Sequence, residues 1–363
     1  MSFSHASDTS STPSAYATAG VDIDRKMGAI DRFKEVARKA TNPAVLAGIG
    51  NFGGLYDAAL LQKAAAPVLV ASTDGVGTKT KIASALGSGA YKGLGHDIVN
   101  HCINDILVQG ARPLFFLDYI ASSRLDPEML VELVDGCAEA CAAAGCALLG
   151  GETAEMPGVY APGEFDLVGT IVGWLDRSGC AHPTLIDGRD VRPGDVCLGL
   201  PSSGLHTNGY SLARHVFAGT PWDTPVDKLG KTLGETLLLF HKSYLKPVEK
   251  CWELGITIKA MAHITGGGYP DNLPRVMPPG TGVALDRSAW EPLPIFRLIQ
   301  EQGDVDPLEM YRVFNMGMGM VLFLAPEDAD PVIRALEDAF PEGPPVVIGE
   351  VTAWDGTGER VKL

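Results

Sequence analysis

The chain has 363 residues, of which 46% are hydrophobic, and its 29 Lys and Arg against 44 Asp and Glu give a net charge of −15. This length predicts about two domains, each large enough to bury its own core. Because an acidic chain repels nucleic acid and anionic lipid, neither partner is expected, and an anionic substrate would need a local Lys or a bound cation.

The first twenty residues are rich in Ser, Thr and Ala and contain no Lys or Arg. This composition predicts a disordered tail over residues 1–20 rather than a targeting signal. No apolar run approaches the roughly 20 residues of a membrane span, so no membrane partner is expected. Seven cysteines, an odd number, favour reduced thiols and a cytoplasmic location. Cys137, Cys141 and Cys146 are expected to be buried thiols rather than metal ligands.

Strands alternate with helices in the first half of the chain. The pattern predicts a domain over residues 21–178 with strands at 67–72, 114–120 and 147–149 and helices at 94–109 and 127–144. Asp126 is the expected N-cap of the second helix, and Gly145 follows its end. This order predicts an α/β domain with a mixed sheet and helices on one face.

The segment from 178 to 195 is rich in turn residues and predicts a domain boundary, with a second domain over residues 179–363. The elements predicted there are strands at 196–200 and 258–264, helices at 210–217 and 233–253, and later elements near 319–324 and 331–340. Glycine-rich loops follow strands in both halves, as in enzymes that bind phosphate groups.

The helix predicted over residues 94–109 has an unusual polar face. Its apolar stripe consists of Ile98, Val99, Cys102, Ile103, Ile106 and Leu107. The opposite face carries Asp97, Asn100, His101, Asn104 and Asp105. A solvated face would be rich in Lys, Glu and Arg, whereas Asp and Asn are poor residues for a helix interior. We therefore expect a functional site here, and its oxygen ligands suit Mg²⁺.

Residues 74–79, Asp-Gly-Val-Gly-Thr-Lys, follow the first predicted strand. The glycines let backbone N–H groups approach an anion, Lys79 adds positive charge, and Asp74 can hold a cation. The alternative is a simple strand-to-helix turn with a solvated Lys. Glu152 and Glu155 lie in a similar glycine-containing segment and are candidate site carboxylates. The alternative is that this segment is only a structural loop.

Residues 202–209, Ser-Ser-Gly-Leu-His-Thr-Asn-Gly, connect a strand to a helix, where a helix N-terminus can bind phosphate. A single His is more often structural, but this setting favours a function for His206. His263 is followed by Thr-Gly-Gly-Gly, and there we expect phosphate contacts from the glycines before a role for the imidazole.

Gly48-Ile-Gly50-Asn-Phe-Gly53 matches the dinucleotide-binding pattern, with Asp74 about 20 residues further on. Only residues 44–47 remain for the strand that should precede it, and a second glycine-rich turn follows Asp74 at once. A Walker motif also fails, because Pro225 occupies the position of its first glycine. A nucleotide would therefore be bound by a less common architecture.

Nine segments in order resemble the AIR synthetase (phosphoribosylformylglycinamidine cyclo-ligase) family. They are residues 16–24, 48–54, 73–79, 104–110, 113–119, 150–158, 202–211, 263–275 and 309–320. Each segment alone has only modest specificity for the family, but together the segments span nearly the whole chain. The resemblance implies a two-domain α/β fold whose N-terminal mixed sheets pair into a barrel in a homodimer, with a C-terminal α/β layer.

The resemblance also implies a reaction. Formylglycinamidine ribonucleotide and ATP, with Mg²⁺, would give aminoimidazole ribonucleotide, ADP and phosphate in purine biosynthesis. It implies catalytic roles for Lys34, Asp74, Asp105 and His206, the last as proton acceptor or phosphoryl contact. The implied metal ligands are Asp74, Asp97, Asp105 and Glu152. The implied nucleotide-binding residues are Gly48, Gly50, Gly53, Gly75, Gly77, Thr78, Lys79, Ser203, Gly204, Asn208, Gly266 and Gly267.

The nearest alternatives are ATP-dependent relatives of the same superfamily. A selenide water dikinase needs a Cys or selenocysteine near its N-terminal glycine loop, whereas the first Cys here is Cys102. A hydrogenase-maturation dehydratase ends in a reactive Cys, but no Cys follows Cys251. A thiamine-monophosphate kinase lacks the pairing of the segments at 150–158 and 202–209. An NAD-dependent dehydrogenase or a non-catalytic binding module is less favoured.

Overall fold

The computed structural model describes residues 32–33, 35–179 and 182–363. A short hairpin of β1 (Val45–Ala47) and β2 (Leu55–Tyr56) precedes a four-stranded sheet. The strands of this sheet are β3 (Pro67–Gly75), β4 (Arg112–Ser122), β5 (Ala147–Glu155) and β6 (Phe165–Asp176), in the order β3-β6-β4-β5. β4 and β5 run parallel and the other neighbours are antiparallel, so the predicted mixed sheet is confirmed.

Three α-helices of the first half have all their residues described, namely α1 (Thr80–Leu86), α2 (Lys92–Leu107) and α3 (Pro127–Ala143). α2 packs on β3 and β6 through its apolar stripe, and α3 packs on α2. At the crossing of the two helices, a Cβ on Gly95 or Gly136 would collide with the facing backbone. The Asp126 side chain accepts a hydrogen bond from the Glu128 N–H, which confirms the predicted N-cap.

β5 is longer than predicted, because it continues through the Gly-Gly-Glu-Thr segment to Glu155. Its register with β4 extends to the pair of Ser122 and Glu155. A Cβ on Gly151 would collide with Asp118 of the neighbouring strand, so glycine allows this close approach. The alternative of a structural loop is therefore wrong for most of this segment, which is strand to Glu155.

The second half is built on a six-stranded sheet with the order β10-β12-β7-β13-β11-β14. The strands of this sheet are β7 (Val196–Pro201), β10 (Ala260–His263), β11 (Thr281–Leu285), β12 (Met318–Leu324), β13 (Val346–Ala353) and β14 (Val361–Lys362). Two short strands outside it are β8 (Pro225–Val226) and β9 (Lys231–Thr232). β8 and β9 form a hairpin. The described helices are α4 (Tyr210–Val216), α5 (Leu233–Leu237), α6 (Leu245–Glu253), α7 (Gly268–Asn272), α8 (Pro294–Gly303), α9 (Pro307–Val313) and α10 (Pro326–Ala335).

The single helix predicted over residues 233–253 is wrong, since α5 and α6 are separated by an irregular segment. Backbone groups of this segment bond to the first half of the chain instead of within a helix. The Leu239 carbonyl accepts from the Lys79 ammonium, and the His241 N–H donates to Asp97. The break thus places His241 between the two halves.

Most buried apolar side chains form two clusters. One joins the first sheet and its helices to one face of the second sheet, and the other covers the opposite face of the second sheet. The described cysteines are free and buried, which confirms the expectation for Cys137, Cys141 and Cys146. Across residues 35–179 and 182–363, no helix combines the length and apolarity needed to cross a bilayer.

Candidate active site

A cavity of about 630 Å³ lies between the first sheet and the second half of the chain. Asp74, His101 and Asp105 line it from the first half, and His263 lines it from the second. Asp74 stands near the end of β3, while His101 and Asp105 are one turn apart on α2. The cavity therefore gathers titratable side chains from three separate elements.

His101 connects the two carboxylates of the cavity wall. Its Nε2 lies 3.0 Å from Asp74 Oδ2 and 3.6 Å from Asp105 Oδ2. Burial favours the neutral imidazole, but the bond to Asp74 and the charge of Asp105 outweigh it and raise the pKa of His101. Against the opposing effect of burial, the bond to His101 lowers the pKa of Asp74, and a bond to His263 together with the charge of His101 lowers the pKa of Asp105. The wall thus favours ionised carboxylates beside a protonated imidazole.

His263 holds Asp105 from the opposite side. Its Nδ1 lies 2.8 Å from Asp105 Oδ1, and its Nε2 lies 2.9 Å from His241 Nε2. Ser72 Oγ donates to the other oxygen of Asp105 at 3.0 Å. The sequence interpretation ranked the following glycines ahead of His263, but the imidazole itself lines the cavity. Its place at the end of a buried strand was the signal that could have ranked it higher.

Lys79 and Asp97 form a fully buried ion pair, with Lys79 Nζ 2.7 Å from Asp97 Oδ2. The same ammonium donates to the carbonyls of His206 at 3.1 Å and Leu239 at 2.8 Å. Neither side chain lines the cavity. Lys79 was predicted to contact phosphate and Asp97 to bind metal, but here their bonds join the two halves instead.

The polar face of α2 is buried rather than solvated. Asn100 donates to the His241 carbonyl at 2.7 Å, and Asn104 donates to the Lys242 carbonyl at 2.7 Å. The Tyr244 N–H donates to Asn104 Oδ1 at 2.9 Å. The alternative of a solvated helix face is therefore wrong, because this face binds the segment between α5 and α6.

His206 is placed behind the cavity wall and is only 1% exposed. Its ring stacks on His241 with 4.0 Å between centroids, and neither of its nitrogens has a hydrogen-bond partner among the described residues. Its backbone is left-handed, with φ of 62°. Burial lowers the pKa of the imidazole well below its ordinary value, so the neutral ring is favoured.

His241 is a site residue that the sequence interpretation missed. Thr207 Oγ1 lies 3.3 Å from His241 Nδ1 and 2.8 Å from His101 Nδ1, so Thr207 connects the two imidazoles. His241 belongs to no glycine-rich motif and falls within the segment predicted as helix. No local pattern in the sequence could have identified it.

Three predicted nucleotide-binding loops lie near one another. Gly75 ends β3, and the turn after it contains Gly77 and Thr78, whose Oγ1 lies 3.3 Å from Ser211 Oγ of α4. Ser203 donates to the Phe240 carbonyl at 2.7 Å, and the Gly204 carbonyl accepts from Asn315 at 2.9 Å. Asn208 Nδ2 is buried without a partner among the described residues, and Gly266 of the third loop lies beside Asn208. Gly267 follows it as the residue before α7.

The other predicted site residues lie apart from the cavity. Gly48, Gly50 and Gly53 belong to the loop between β1 and β2, and none of them lines it. Glu152 is exposed on β5, where its carboxylate accepts from the Thr153 N–H at 2.7 Å. Lys34 lies outside the described residues. Their predicted roles therefore stay predictions.

The sequence matches two family models that cover most of the chain. The description "AIR synthase related protein, N-terminal domain" matches residues 56–175, and the corresponding C-terminal domain matches residues 192–362. A phosphoribosylformylglycinamidine cyclo-ligase of Desulfitobacterium hafniense is 47% identical over 338 residues, which are 93% of this chain and 96% of that protein. The enzyme of the same name from Geobacillus thermodenitrificans is 47% identical over 346 residues, 94% of this chain and 96% of the relative.

Solved structures share the fold at lower identity. Thiamine-monophosphate kinase from Stenotrophomonas maltophilia has a TM-score of 0.63 at 16% identity, covering 92% of this chain and 94% of that one. The hydrogenase maturation protein HypE of E. coli has a TM-score of 0.62 at 20% identity, with 92% of each chain covered. These likenesses concern the fold alone. At 47% identity over nearly its whole length, the chain belongs to the phosphoribosylformylglycinamidine cyclo-ligase family, built from the two AIR synthase related domains.

Proposed function

We propose that the protein closes the imidazole ring of aminoimidazole ribonucleotide from formylglycinamidine ribonucleotide with ATP, releasing ADP and phosphate, at the cavity lined by Asp74, His101, Asp105 and His263. The observation that carries the proposal is the meeting of these two carboxylates and two imidazoles on one wall between the halves. The relatives that are 47% identical and bear the name of this enzyme support it. The reaction is a step of purine biosynthesis.

The chemistry requires activation of a poor leaving group. ATP transfers a phosphoryl group to the formyl amide oxygen, the amidine nitrogen attacks that carbon, and the carbon–oxygen bond breaks as phosphate leaves. The attacking nitrogen also loses a proton. The protein has mainly to position the two substrates, neutralise phosphate charge and accept this proton.

We assign the proton to the carboxylate of Asp105, which lines the cavity and is kept ionised by its contacts with His263 and His101. His206, the acceptor expected from the sequence, does not line the cavity. It stays in the proposal as a residue behind the wall, stacked on His241.

Asp74 and Asp105 are the residues that fit Mg²⁺. Their carboxylates share one imidazole, and their side chains are 44% and 25% exposed, which leaves oxygen atoms available. When bound, Mg²⁺ would neutralise charge on the phosphates. Asp97 fits this role poorly, because its carboxylate is bound to Lys79 in the interior. Glu152 does not line the cavity.

We further propose that ATP lies along the loops that follow β3, β7 and β10. The amide of Asn208, which has no partner among the described residues, and the glycines before α7 are suitable phosphate donors, and the turn at Gly77 and Thr78 lies next to α4. The related fold of HypE has been solved in complex with ATP, with a TM-score of 0.60 at 18% identity. Arg275 at the cavity edge is a cation for the substrate phosphate.

Two copies of the chain are proposed to associate through the outer face of the first sheet. Leu69, Phe115, Leu117, Val172 and Trp174 share this face, opposite the side that packs on the helices. Leu69 is 59% exposed in the single chain. An apolar sheet face of this kind marks an interaction surface.

The domain limits 21–178 and 179–363 remain our proposal. The cytoplasmic location is also a proposal, and the free thiols of the described cysteines support it.

A coupled assay tests the proposed reaction. The full chain is mixed with ATP, Mg²⁺ and formylglycinamidine ribonucleotide, and ADP release and the mass of the product are followed. We expect ADP release only when the ribonucleotide is present, with one aminoimidazole ribonucleotide formed per ADP. Turnover of thiamine monophosphate or selenide instead would contradict the proposal.

A further inference from the structure

Three buried imidazoles meet behind the cavity wall. His206, His241 and His263 are 1%, 0% and 6% exposed and come from the loop after β7, the break between α5 and α6, and the end of β10. One ring nitrogen of each lies within 4.8 Å of the other two. Three imidazoles from three segments thus enclose a single point in the interior.

The ring of His206 has no hydrogen-bond partner for either nitrogen within the described part of the chain. Buried polar atoms are rarely left in this state, because each loses its bonds to water on folding. The residue also has a left-handed backbone, with φ of 62°, which is a strained conformation for a non-glycine residue. A side chain on Gly319 would collide with this ring, so the fold makes room for it. These features indicate a ligand for His206 beyond the protein's own atoms.

The other two imidazoles are oriented for coordination. His263 Nδ1 is held by Asp105 at 2.8 Å and His241 Nδ1 by Thr207 at 3.3 Å, so both Nε2 atoms face each other at 2.9 Å. Metal-binding histidines commonly use one nitrogen for the metal while the other bonds to a carboxylate or other polar group. Asn104 Nδ2 lies 3.1 Å from His241 Nε2, and a bound ion would replace this contact. Asn104 would keep its bonds to Lys242 and Tyr244.

We propose that His206, His241 and His263 form a binding site for one divalent transition-metal ion of the Zn²⁺ class. Neutral imidazoles are preferred ligands of Zn²⁺ and Co²⁺, whereas Mg²⁺ prefers oxygen. The site is therefore separate in chemistry from the carboxylates of Asp74 and Asp105. Asp105 contributes to it only by orienting His263, and through that bond an ion here would fix the carboxylate at the cavity wall.

Metal binding is measured on the full chain after removal of metals, without nucleotide or substrate. Co²⁺ is titrated while its visible spectrum is recorded, and Zn²⁺ is then added in competition. We expect one Co²⁺ per chain with the intense visible bands of a four-coordinate ion, and displacement by one equivalent of Zn²⁺. His241→Gln and His206→Gln should each weaken binding about tenfold or more. His215→Gln, which changes an exposed His of α4, is the matched control and should bind as the wild type does.

Three results would overturn the proposal. The first is a wild-type protein that binds no stoichiometric Co²⁺ or Zn²⁺. The second is a near-ultraviolet thiolate band, which would place the ion on cysteines. The third is unchanged binding in both His variants together with loss in Asp74→Asn, which would place it on the carboxylates. Thermal unfolding shows whether the variants are folded, and if they are not, the wild-type stoichiometry and spectrum decide. No step of this test depends on the proposed ring closure.

Discussion

Asp74 and Asp105 reach the same cavity from β3 and α2, and imidazoles hold both of them. The contacts with His101 and His263 favour the ionised carboxylates, since they lower the pKa of each group despite partial burial. Two anionic groups at one cavity wall would repel ATP on their own. They can contribute to ATP binding only when a cation binds both to them and to the phosphates. An acidic chain needs such a cation because its own negative charge repels an anionic substrate.

Asp105→Asn is predicted to lower kcat/KM for ribonucleotide-dependent ADP release by about 100-fold or more, because it removes both a proposed metal ligand and the partner of His263. The coupled assay over a range of Mg²⁺ concentrations measures this, and a higher Mg²⁺ requirement should accompany the loss. Asp330→Asn changes an exposed carboxylate of α10 and serves as the control. Unchanged metal dependence in Asp105→Asn would remove this residue from the proposed metal site.

Asp118 is a second unusual carboxyl group, on the core-facing side of β4. Burial raises its pKa to about 7, well above the ordinary value of 3.8. The folded protein therefore retains a proton that the unfolded chain loses between these two values. The stabilising contribution of this group is complete below about pH 4 and is lost as the pH rises through 7.

Asp118→Asn should accordingly stabilise the protein at pH 8 more than at pH 5, since Asn cannot become a buried anion. Between these two pH values, the difference in the free energy of unfolding is at most on the order of 3 kcal/mol. Chemical denaturation of both proteins at the two pH values measures it. Asp223→Asn, at an exposed position, should show no such dependence. An equal effect of Asp118→Asn at both pH values would contradict the raised pKa.

At the scale of elements, α2 is buried on both faces. Its apolar stripe packs on the first sheet, and its polar face binds the segment between α5 and α6. The ion pair of Lys79 and Asp97 is part of this contact, since Lys79 also binds the carbonyls of His206 and Leu239. One buried ammonium therefore connects the turn after β3, α2 and two segments of the second half.

Lys79→Met is predicted to lower the free energy of unfolding by about 3–5 kcal/mol, because it leaves Asp97 as an uncompensated buried charge. Urea denaturation measures the loss. The double variant Lys79→Met/Asp97→Asn should recover part of it, since no unpaired charge remains. If Lys79→Met instead kept its stability and lost ATP binding in calorimetry, the contact with phosphate predicted from the sequence would be correct.

At the scale of the whole molecule, the two faces of the first sheet differ. In β6, residues alternate strictly between buried and partly buried positions, and the partly buried side includes Val172 and Trp174. Neighbouring strands add Leu69 opposite Trp174 and Phe115 opposite Val172. In the single chain this face has no helix over it among the described residues, which is the basis for proposing that a second copy covers it.

Leu69→Glu is predicted to shift the protein from dimer to monomer, because a two-fold interface would bury the new charge twice. Light scattering during size-exclusion chromatography gives the mass. Leu254→Glu alters an exposed Leu next to α6, 49% exposed, and should leave the mass unchanged. A wild-type protein that is monomeric at all tested concentrations would contradict the proposed association.

The sequence alone determined the family and the local structure of the elements with clear periodicity and caps. The 3.6-residue periodicity of residues 94–109 predicted α2, and Asp126, Pro127 and Gly145 marked the ends of α3, because caps and apolar stripes depend on neighbours along the chain. The ordered motifs indicated the family, which the relatives confirm. His101 and Asp105 could also be predicted, since a helix face without good helix formers is visible in one sequence, and Asp74 could be predicted from the glycine-rich segment that it begins.

Only the tertiary structure decided which of these side chains meet. It paired Lys79 with Asp97 in the interior, put His206 behind the cavity and brought in His241 from a segment predicted as helix. These contacts join residues that are separated in the sequence by between 18 positions, as for Lys79 and Asp97, and 144 positions, as for Asp97 and the His241 backbone. A helical pattern reports only neighbours within a few turns. A buried site formed between two halves of a chain is therefore decided by packing.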